Sequence, residues 1–194
     1  MALLACLVDD LDEGFANLVR SEQRVVYSVA LRMTRSPSEA EDLTAETFLR
    51  AYRALRGYDR SRVLALRPRS WLVTIMLNTW RNSLRDASRR PNLMPSADLP
   101  DRHAEDQDVE QAVESAERQR ELGRLVGQLP VAQRLAVVLR HVVGLPMAEI
   151  AAVLKCPEGT AKSHVSRGLS KLRTLYDAVP PSRECNFAGR REQR

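Results

Sequence analysis

Four residues between positions 71 and 85 are of the types that bind unpaired nucleic acid. Trp71 supplies an aromatic ring, Asn78 an amide, and Arg81 and Arg85 supply guanidinium groups. At about 100° per residue along a helix, these four positions fall within about 80° of one face. A ring can stack on an unpaired base, an amide can hydrogen-bond its edge, and guanidinium groups can grip phosphates. The spacing therefore allows these residues to bind a single DNA strand. An equally good explanation of the pattern is that Trp71 packs in the core and the arginines are simply exposed to solvent.

A second set of polar residues occupies positions 160–171. Apolar spacing predicts helices at about 147–154 and 158–176, joined at Lys155, Cys156 and Pro157. This is the spacing of a helix-turn-helix, whose second helix places short polar and cationic side chains against base edges. The predicted inner face of that helix is Ala161, Val165, Leu169, Leu172 and Tyr176. The candidate DNA contacts are Thr160, Lys162, Ser163, His164, Ser166, Arg167 and Lys171. An ordinary helical hairpin with a solvated basic face is the alternative interpretation.

Holding these residues on helix faces requires a helical protein, which the composition favours. The chain has 194 residues, 44% of them hydrophobic, 8 Gly and no long run of alternating β-branched residues. These features predict an all-α fold of two small helical domains. Periodicity and capping signals, such as Ser36 followed by Pro37, predict helices at about 12–33, 36–55, 68–88, 109–128, 131–143, 147–154 and 158–176. The segment from Gly57 to Pro68 is predicted to be a basic loop.

Charge and proline content divide the chain. Residues 50–90 contain eleven Arg against two Asp, whereas residues 96–121 contain nine acids against three Arg. The basic surfaces favour a polyanion, above all nucleic acid, as the partner. We predict a first domain at 12–90, a flexible acidic linker at 91–108, a second domain at 109–178 and a basic tail at 179–194.

Other chemistry-bearing residues do not form a recognisable site. The cysteines Cys6, Cys156 and Cys185 and the three His lack paired spacing, so we expect neither a metal nor another cofactor. The sequence offers no phosphate loop and no nucleophile–base arrangement, so we expect no catalytic residues and no enzyme activity. Apolar residues 1–8 are too few for a signal peptide or a membrane anchor. We therefore expect a cytoplasmic protein without membrane insertion.

Three blocks of the sequence together resemble a known family. The blocks are Asp42–Tyr52 (DLTAETFLRAY), Trp71–Leu84 (WLVTIMLNTWRNSL) and Pro157–Arg173 (PEGTAKSHVSRGLSKLR). In this order around a variable linker, they resemble the extracytoplasmic function (ECF) subgroup of sigma-70-type transcription initiation factors. The resemblance covers about residues 15–176, nearly the whole chain. Each block alone is moderately specific, and the three in order make a coincidence improbable.

The resemblance implies three binding sites. The site for core RNA polymerase, through its β′ clamp helices and β subunit, would be Asp42, Leu43, Glu46, Thr47, Phe48 and Arg50. The site for minus-ten promoter DNA would be Trp71, Asn78, Arg81, Asn82 and Arg85. The minus-thirty-five element would be read by the polar set at positions 160–171. The resemblance also implies control by an anti-sigma factor.

Three residues depart from the family pattern. Ala45 replaces a usual Gln in the polymerase-binding block, which puts one polymerase contact in doubt. Lys155 replaces a usual Gly in the helix-turn-helix turn, where a left-handed backbone would cost it about 1 kcal/mol. Pro146 replaces a usual Ser or Thr cap, so the following helix must begin without a side-chain oxygen.

Two other functions fit the same sequence. One is a regulator that binds operators through its helix-turn-helix without core polymerase. The other is an interaction protein that mimics a sigma domain and occupies polymerase or an anti-sigma factor. Operator binding without polymerase would indicate the first, and tight polymerase binding without transcription would indicate the second.

Overall fold

The structure, a computed structural model, describes residues 2–88 and 121–178. Every regular element in these two ranges is a helix, so the predicted all-α class is confirmed. Two helical domains are present, as predicted. The predicted linker at 91–108, most of the predicted helix at 109–128 and the basic tail at 179–194 lie outside the described residues.

The first domain contains five helices. They are α1 (Ala2–Asp9), α2 (Leu11–Thr34), α3 (Pro37–Leu55), α4 (Arg60–Leu64) and α5 (Pro68–Ser88). The prediction of a loop from Gly57 to Pro68 was wrong at α4, which Asp59 caps by accepting a hydrogen bond from the Arg62 amide at 2.8 Å. Bonds from Ser61 and Arg62 lower the pKa of the Asp59 carboxyl, so the cap favours the ionised side chain.

The capping signals at the start of α3 are confirmed. The Ser36 hydroxyl accepts a hydrogen bond from the Glu39 amide at 3.4 Å, and Pro37 occupies the first helical turn. Immediately before Ser36, Arg35 ends α2 in a left-handed conformation with φ 60°. This conformation is costly for a residue with a Cβ, and it sets the angle between α2 and α3.

Helix α1 was not predicted, and it lies against the first turn of α2. A Cβ added at Gly14 would lie 2.5 Å from both the backbone nitrogen and the Cα of Leu7. Only glycine therefore permits this approach of the two helices. Leu7 is buried by it, although the apolar segment that carries Leu7 is too short to show helical periodicity.

We expect Gly14→Ala to lower the free energy of unfolding by about 1–2 kcal/mol, because backbone atoms of α1 must move to admit the methyl group. Gly123→Ala is the matched control, since an added Cβ there meets nothing within 4 Å. That control should stabilise its helix by about 0.5–1 kcal/mol. Urea unfolding of both variants measures the effects, and a stable Gly14→Ala protein would contradict the close approach.

The second domain contains four helices in the described residues. They are α6, seen at residues 121–127, α7 (Val131–His141), α8 (Met147–Leu154) and α9 (Glu158–Asp177). The predicted inner face of α9 was partly wrong, because Leu169 is 42% exposed and Tyr176 is 68% exposed. The buried residues of α9 are Ala161, Val165 and Gly168. Gly168 is buried because α9 crosses α7 closely there: an added Cβ would lie 2.6 Å from a Val137 methyl carbon.

The two domains are in contact with each other. Arg69, in the first turn of α5, donates to both carboxylate oxygens of Glu22 at 2.8 and 3.2 Å and to the Val143 carbonyl at 3.5 Å. The bond to Glu22 raises the pKa of the Arg69 guanidinium, which favours its charged form. Arg69 thus joins α2, α5 and the segment after α7.

Further contacts extend the interface between the domains. Arg67 donates to the Glu149 carboxylate on α8. A single cluster of buried apolar residues also continues from Leu18 and Leu72 in the first domain to Val143 and Ile150 in the second. The described residues therefore form a closed arrangement, in which the start of α5 lies against the helix-turn-helix.

Candidate nucleic-acid interface

Helix α5 presents most of its predicted DNA-binding residues to solvent. Its opposite side is anchored in the core by Leu72, Val73, Met76, Leu77 and Trp80. This packing fixes the helix rotation so that Asn78, Asn82 and Arg85 are exposed and Arg81 is half-buried. Asn78 and Arg85, from the set predicted by spacing, are therefore accessible together with Asn82, which only the family resemblance named.

Trp71 is half-buried and belongs to an aromatic cluster at the start of α5. Its ring centroid lies 6.1 Å from that of Tyr58, with the two planes inclined by 57°. The Arg62 guanidinium carbon lies 3.8 Å from the centroid of Tyr58. Sequence analysis missed Tyr58, whose ring lies beside Trp71, and Arg62 of α4, whose guanidinium lies over the Tyr58 ring. An aromatic residue among arginines in the segment 57–68 was the signal that could have found them.

Helix α9 places almost all of its predicted contacts on the outer face. Thr160, Lys162, Ser163, Ser166, Arg167 and Lys171 are exposed, whereas His164 is half-buried. Some of these groups have internal partners: Lys162 pairs with Glu158 at 2.9 Å, and the Ser163 hydroxyl donates to the Gly159 carbonyl at 2.9 Å. The Nδ1 atom of His164 is shielded from solvent and has no hydrogen-bond partner. His164 is therefore less accessible than the other predicted contacts of α9.

The two departures from the family pattern in the helix-turn-helix lie at the two ends of α8. Lys155 is left-handed, with φ 56° and ψ 46°, and its amide donates to carbonyls at the end of α8. Pro146 precedes α8 without a side-chain capping bond. The helix-turn-helix is thus formed despite a turn residue whose Cβ disfavours the conformation.

The α3 block divides into an exposed and a buried half. Asp42 and Arg50 are exposed, and Glu46 is half-buried and pairs with Arg50 at 2.6 Å. The other three residues of this predicted site, Leu43, Thr47 and Phe48, are buried in the core. The Thr47 hydroxyl, fully buried, donates to the Leu43 carbonyl at 2.6 Å. Asp42, Glu46 and Arg50 can therefore contact a partner directly. The three buried residues pack in the core and hold this face in position.

Residues 2–88 and 121–178 form neither a metal site nor a membrane-spanning helix. Within these ranges, no group of His, Cys, Asp or Glu has the arrangement of a metal site. The helices described there all fall short of the length and apolarity needed to span a membrane.

Comparison with known proteins identifies the family. The Sigma-70 region 2 profile matches residues 18–90, and the Sigma-70, region 4 profile matches residues 119–172. The RNA polymerase sigma-H factor of Pseudomonas aeruginosa is 32% identical, over 83% of this chain and 87% of that protein. The chain belongs to the ECF sigma factors. The ECF RNA polymerase sigma-E factor of Salmonella typhimurium, with the same identity and coverage, is another relative of this sigma factor.

A solved structure shares the fold of this sigma factor. It is the sigma factor RpoE in complex with the anti-sigma factor NepR from Bartonella quintana, with a TM-score of 0.67 and 20% identity. The match covers 89% of this chain and all of that one, so both domains are included. The polar faces of this sigma factor therefore lie on α3 and α5 of the first domain and on α9 of the second domain.

Proposed function

We propose that this sigma factor directs core RNA polymerase to promoters through three separate surfaces. The exposed half of α3, with Asp42, Glu46 and Arg50, is the surface for the β′ clamp helices. The polymerase supplies all nucleotidyl chemistry. The sigma factor has no catalytic residues and changes only the free energy needed to open the DNA duplex. It acts in the cytoplasm, where polymerase and chromosome are.

The face of α5 is the proposed site for the opened minus-ten element. Asn78 and Asn82 offer amides to base edges, and Arg81 and Arg85 offer guanidinium groups to phosphates. The cluster of Trp71, Tyr58 and Arg62 adds aromatic surface next to this face. Binding unpaired bases there offsets the cost of unstacking them, which is how the factor promotes melting.

The outer face of α9 is the proposed reader of the minus-thirty-five element. The observation that supports the proposal is that α5 and α9, from two different domains, both expose side chains of the types that can contact bases. The centres of the two elements are about 25 base pairs apart, which is roughly 85 Å at about 3.4 Å per base pair. Domains in contact cannot span this distance, so the closed arrangement must open when both elements are bound.

The closed arrangement is the form that we propose an anti-sigma factor holds. The RpoE structure with a similar fold was solved in complex with the anti-sigma factor NepR. A partner that binds across both domains stabilises their contact and thereby withholds the factor from promoters.

Run-off transcription tests the proposed function. Core polymerase is combined with a pool of promoter fragments, with and without the protein. Transcripts with defined start sites should appear only with the protein. Folded protein that binds DNA sites without polymerase but yields no transcripts would instead indicate a separate regulator.

We expect Arg167→Ala to weaken binding to the upstream element by about 1–3 kcal/mol, because Arg167 is exposed on α9 where a base edge would lie. Binding of the variant to promoter and to random duplex should be compared at fixed salt. Arg173→Ala, an exposed change near the end of α9, is the control and should affect both DNAs alike. An equal loss on both DNAs for Arg167→Ala would refute base reading by this residue.

A further inference from the structure

Arg35 has an unusual backbone for an arginine, and its side chain makes a contact between domains. The residue is left-handed at φ 60°, a conformation that glycine adopts without strain. Its Nη1 atom lies 3.4 Å from the Gly127 carbonyl oxygen of the second domain. The side chain lies flat on Gly127, because a Cβ added there would be 3.1 Å from Cδ of Arg35. A strained residue with a specific side-chain contact points to a role for that side chain.

A second arginine converges on the same carbonyl from α7. The Nη2 atom of Arg134 donates to the Gly127 carbonyl at 2.6 Å and to the Leu129 carbonyl at 3.2 Å. Its Nε atom is buried without an acceptor. Burial, followed by repulsion from Arg35, lowers the pKa of the Arg134 guanidinium. Two cations thus share one neutral acceptor.

Within the described residues, neither arginine of this pair has a carboxylate partner. The ion pairs of the described residues place no carboxylate on Arg35 or Arg134, whereas Arg50, Arg67 and Arg69 each have one. Two guanidinium groups next to each other repel, and an anion bound to both removes that repulsion. The arrangement has the chemistry of a carboxylate-binding site.

We propose that Arg35 and Arg134 bind a carboxylate group on an acidic segment of a partner protein that holds the two domains closed. This inference rests on the proposed control by an anti-sigma factor and names residues that such a partner engages. A DNA phosphate is the poorer occupant, because the two arginines come from different domains, which must separate on promoter DNA. The same carboxylate would hold both domains, and its binding would therefore favour the closed arrangement.

The test is titration of the full-length protein with a hexaglutamate peptide, followed by the NMR signals of the arginine Nε–H groups. We expect saturable shifts of the Arg35 and Arg134 signals. Arg35→Gly removes the cation and suits the left-handed backbone, so the variant remains folded. In this variant the peptide affinity measured from the Arg134 shift should fall at least about tenfold. In Arg134→Gln the affinity measured from the Arg35 shift should fall by a similar factor.

The control is Arg20→Gln, since Arg20 is exposed and donates only within its own helix, to the Ala16 carbonyl. It should bind the peptide within about twofold of the wild type. Unchanged Arg134 shifts in Arg35→Gly would overturn the proposal. Shifts with inorganic phosphate but none with hexaglutamate would also overturn it, because the site would then take a free phosphate.

Run-off transcription separates this inference from the proposed function. Arg35→Gly should transcribe at least as well as the wild type, because the arginine pair is outside the proposed DNA and polymerase surfaces. A wild-type protein that binds the peptide at this pair but supports no transcription would refute the sigma function alone. A protein that transcribes but shows no site-specific peptide shift would refute the carboxylate site alone.

Discussion

Replacing Asn78 with Ala should reduce transcription from a duplex promoter about 5- to 150-fold. Asn78 is exposed on α5, so its removal leaves the core intact and takes away one polar contact to an unpaired base. Such a contact contributes about 1–3 kcal/mol, and each 1.4 kcal/mol changes the opening equilibrium about tenfold. Run-off assays at saturating polymerase measure the effect, with stability checked by urea unfolding.

The matched control is Ser83→Ala on the same helix. The exposed Ser83 hydroxyl donates only to the Trp80 carbonyl of its own helix, so we expect nearly unchanged transcription. A template opened in advance over the minus-ten element provides unpaired bases without the melting cost. The Asn78 defect should be much smaller on that template. An undiminished defect there would mean that Asn78 acts after melting.

Replacing Arg69 with Ala should lower the free energy of unfolding by about 2–3 kcal/mol and loosen the contact between the domains. The change leaves the Glu22 carboxylate, in a residue only 9% exposed, without its cation. A broken buried ion pair costs about 3–5 kcal/mol, and the 45% exposure of the Arg69 side chain reduces that figure. Urea unfolding measures stability, and a distance probe on each domain measures separation.

Two further variants test the cause of that loss. Arg67→Ala breaks the pair with Glu149; because the Arg67 side chain is 71% exposed but that of Glu149 only 18%, we expect a smaller loss of about 0.5–1 kcal/mol. Adding Glu22→Ala to Arg69→Ala removes the unpaired carboxylate and should restore part of the stability. If the double variant is less stable than Arg69→Ala, the unpaired charge is not the cause.

Local sequence signals predicted the long helices because each has a periodic apolar face or a cap. The Ser36 and Pro37 signals gave the start of α3, and the polar spacing gave the exposed faces of α5 and α9. The five residues of α4 are too few for periodicity, and their helix depends on the Asp59 cap. The inner face of α9 was mispredicted at Leu169 because the period alone does not show where a neighbouring helix comes closest.

Contacts between distant segments had no local signal. A period of 3.6 residues places Glu22 on a helix face but does not say that Arg69 will cover it. Likewise, no local pattern indicates that the Tyr58 ring lies beside Trp71. Leu43, Thr47 and Phe48 were carried over from a family block, whose letters do not separate residues that touch a partner from those that support the helix. Only the tertiary structure identifies these features, because they arise from contacts between helices.

The apolar cluster shared by the two domains makes the closed arrangement sensitive to temperature. Separating the domains brings part of that apolar surface into water, which raises the heat capacity of the separated form. The attraction between apolar surfaces weakens on cooling. We therefore expect a larger fraction of the free sigma factor to have its domains apart at low temperature than at high temperature.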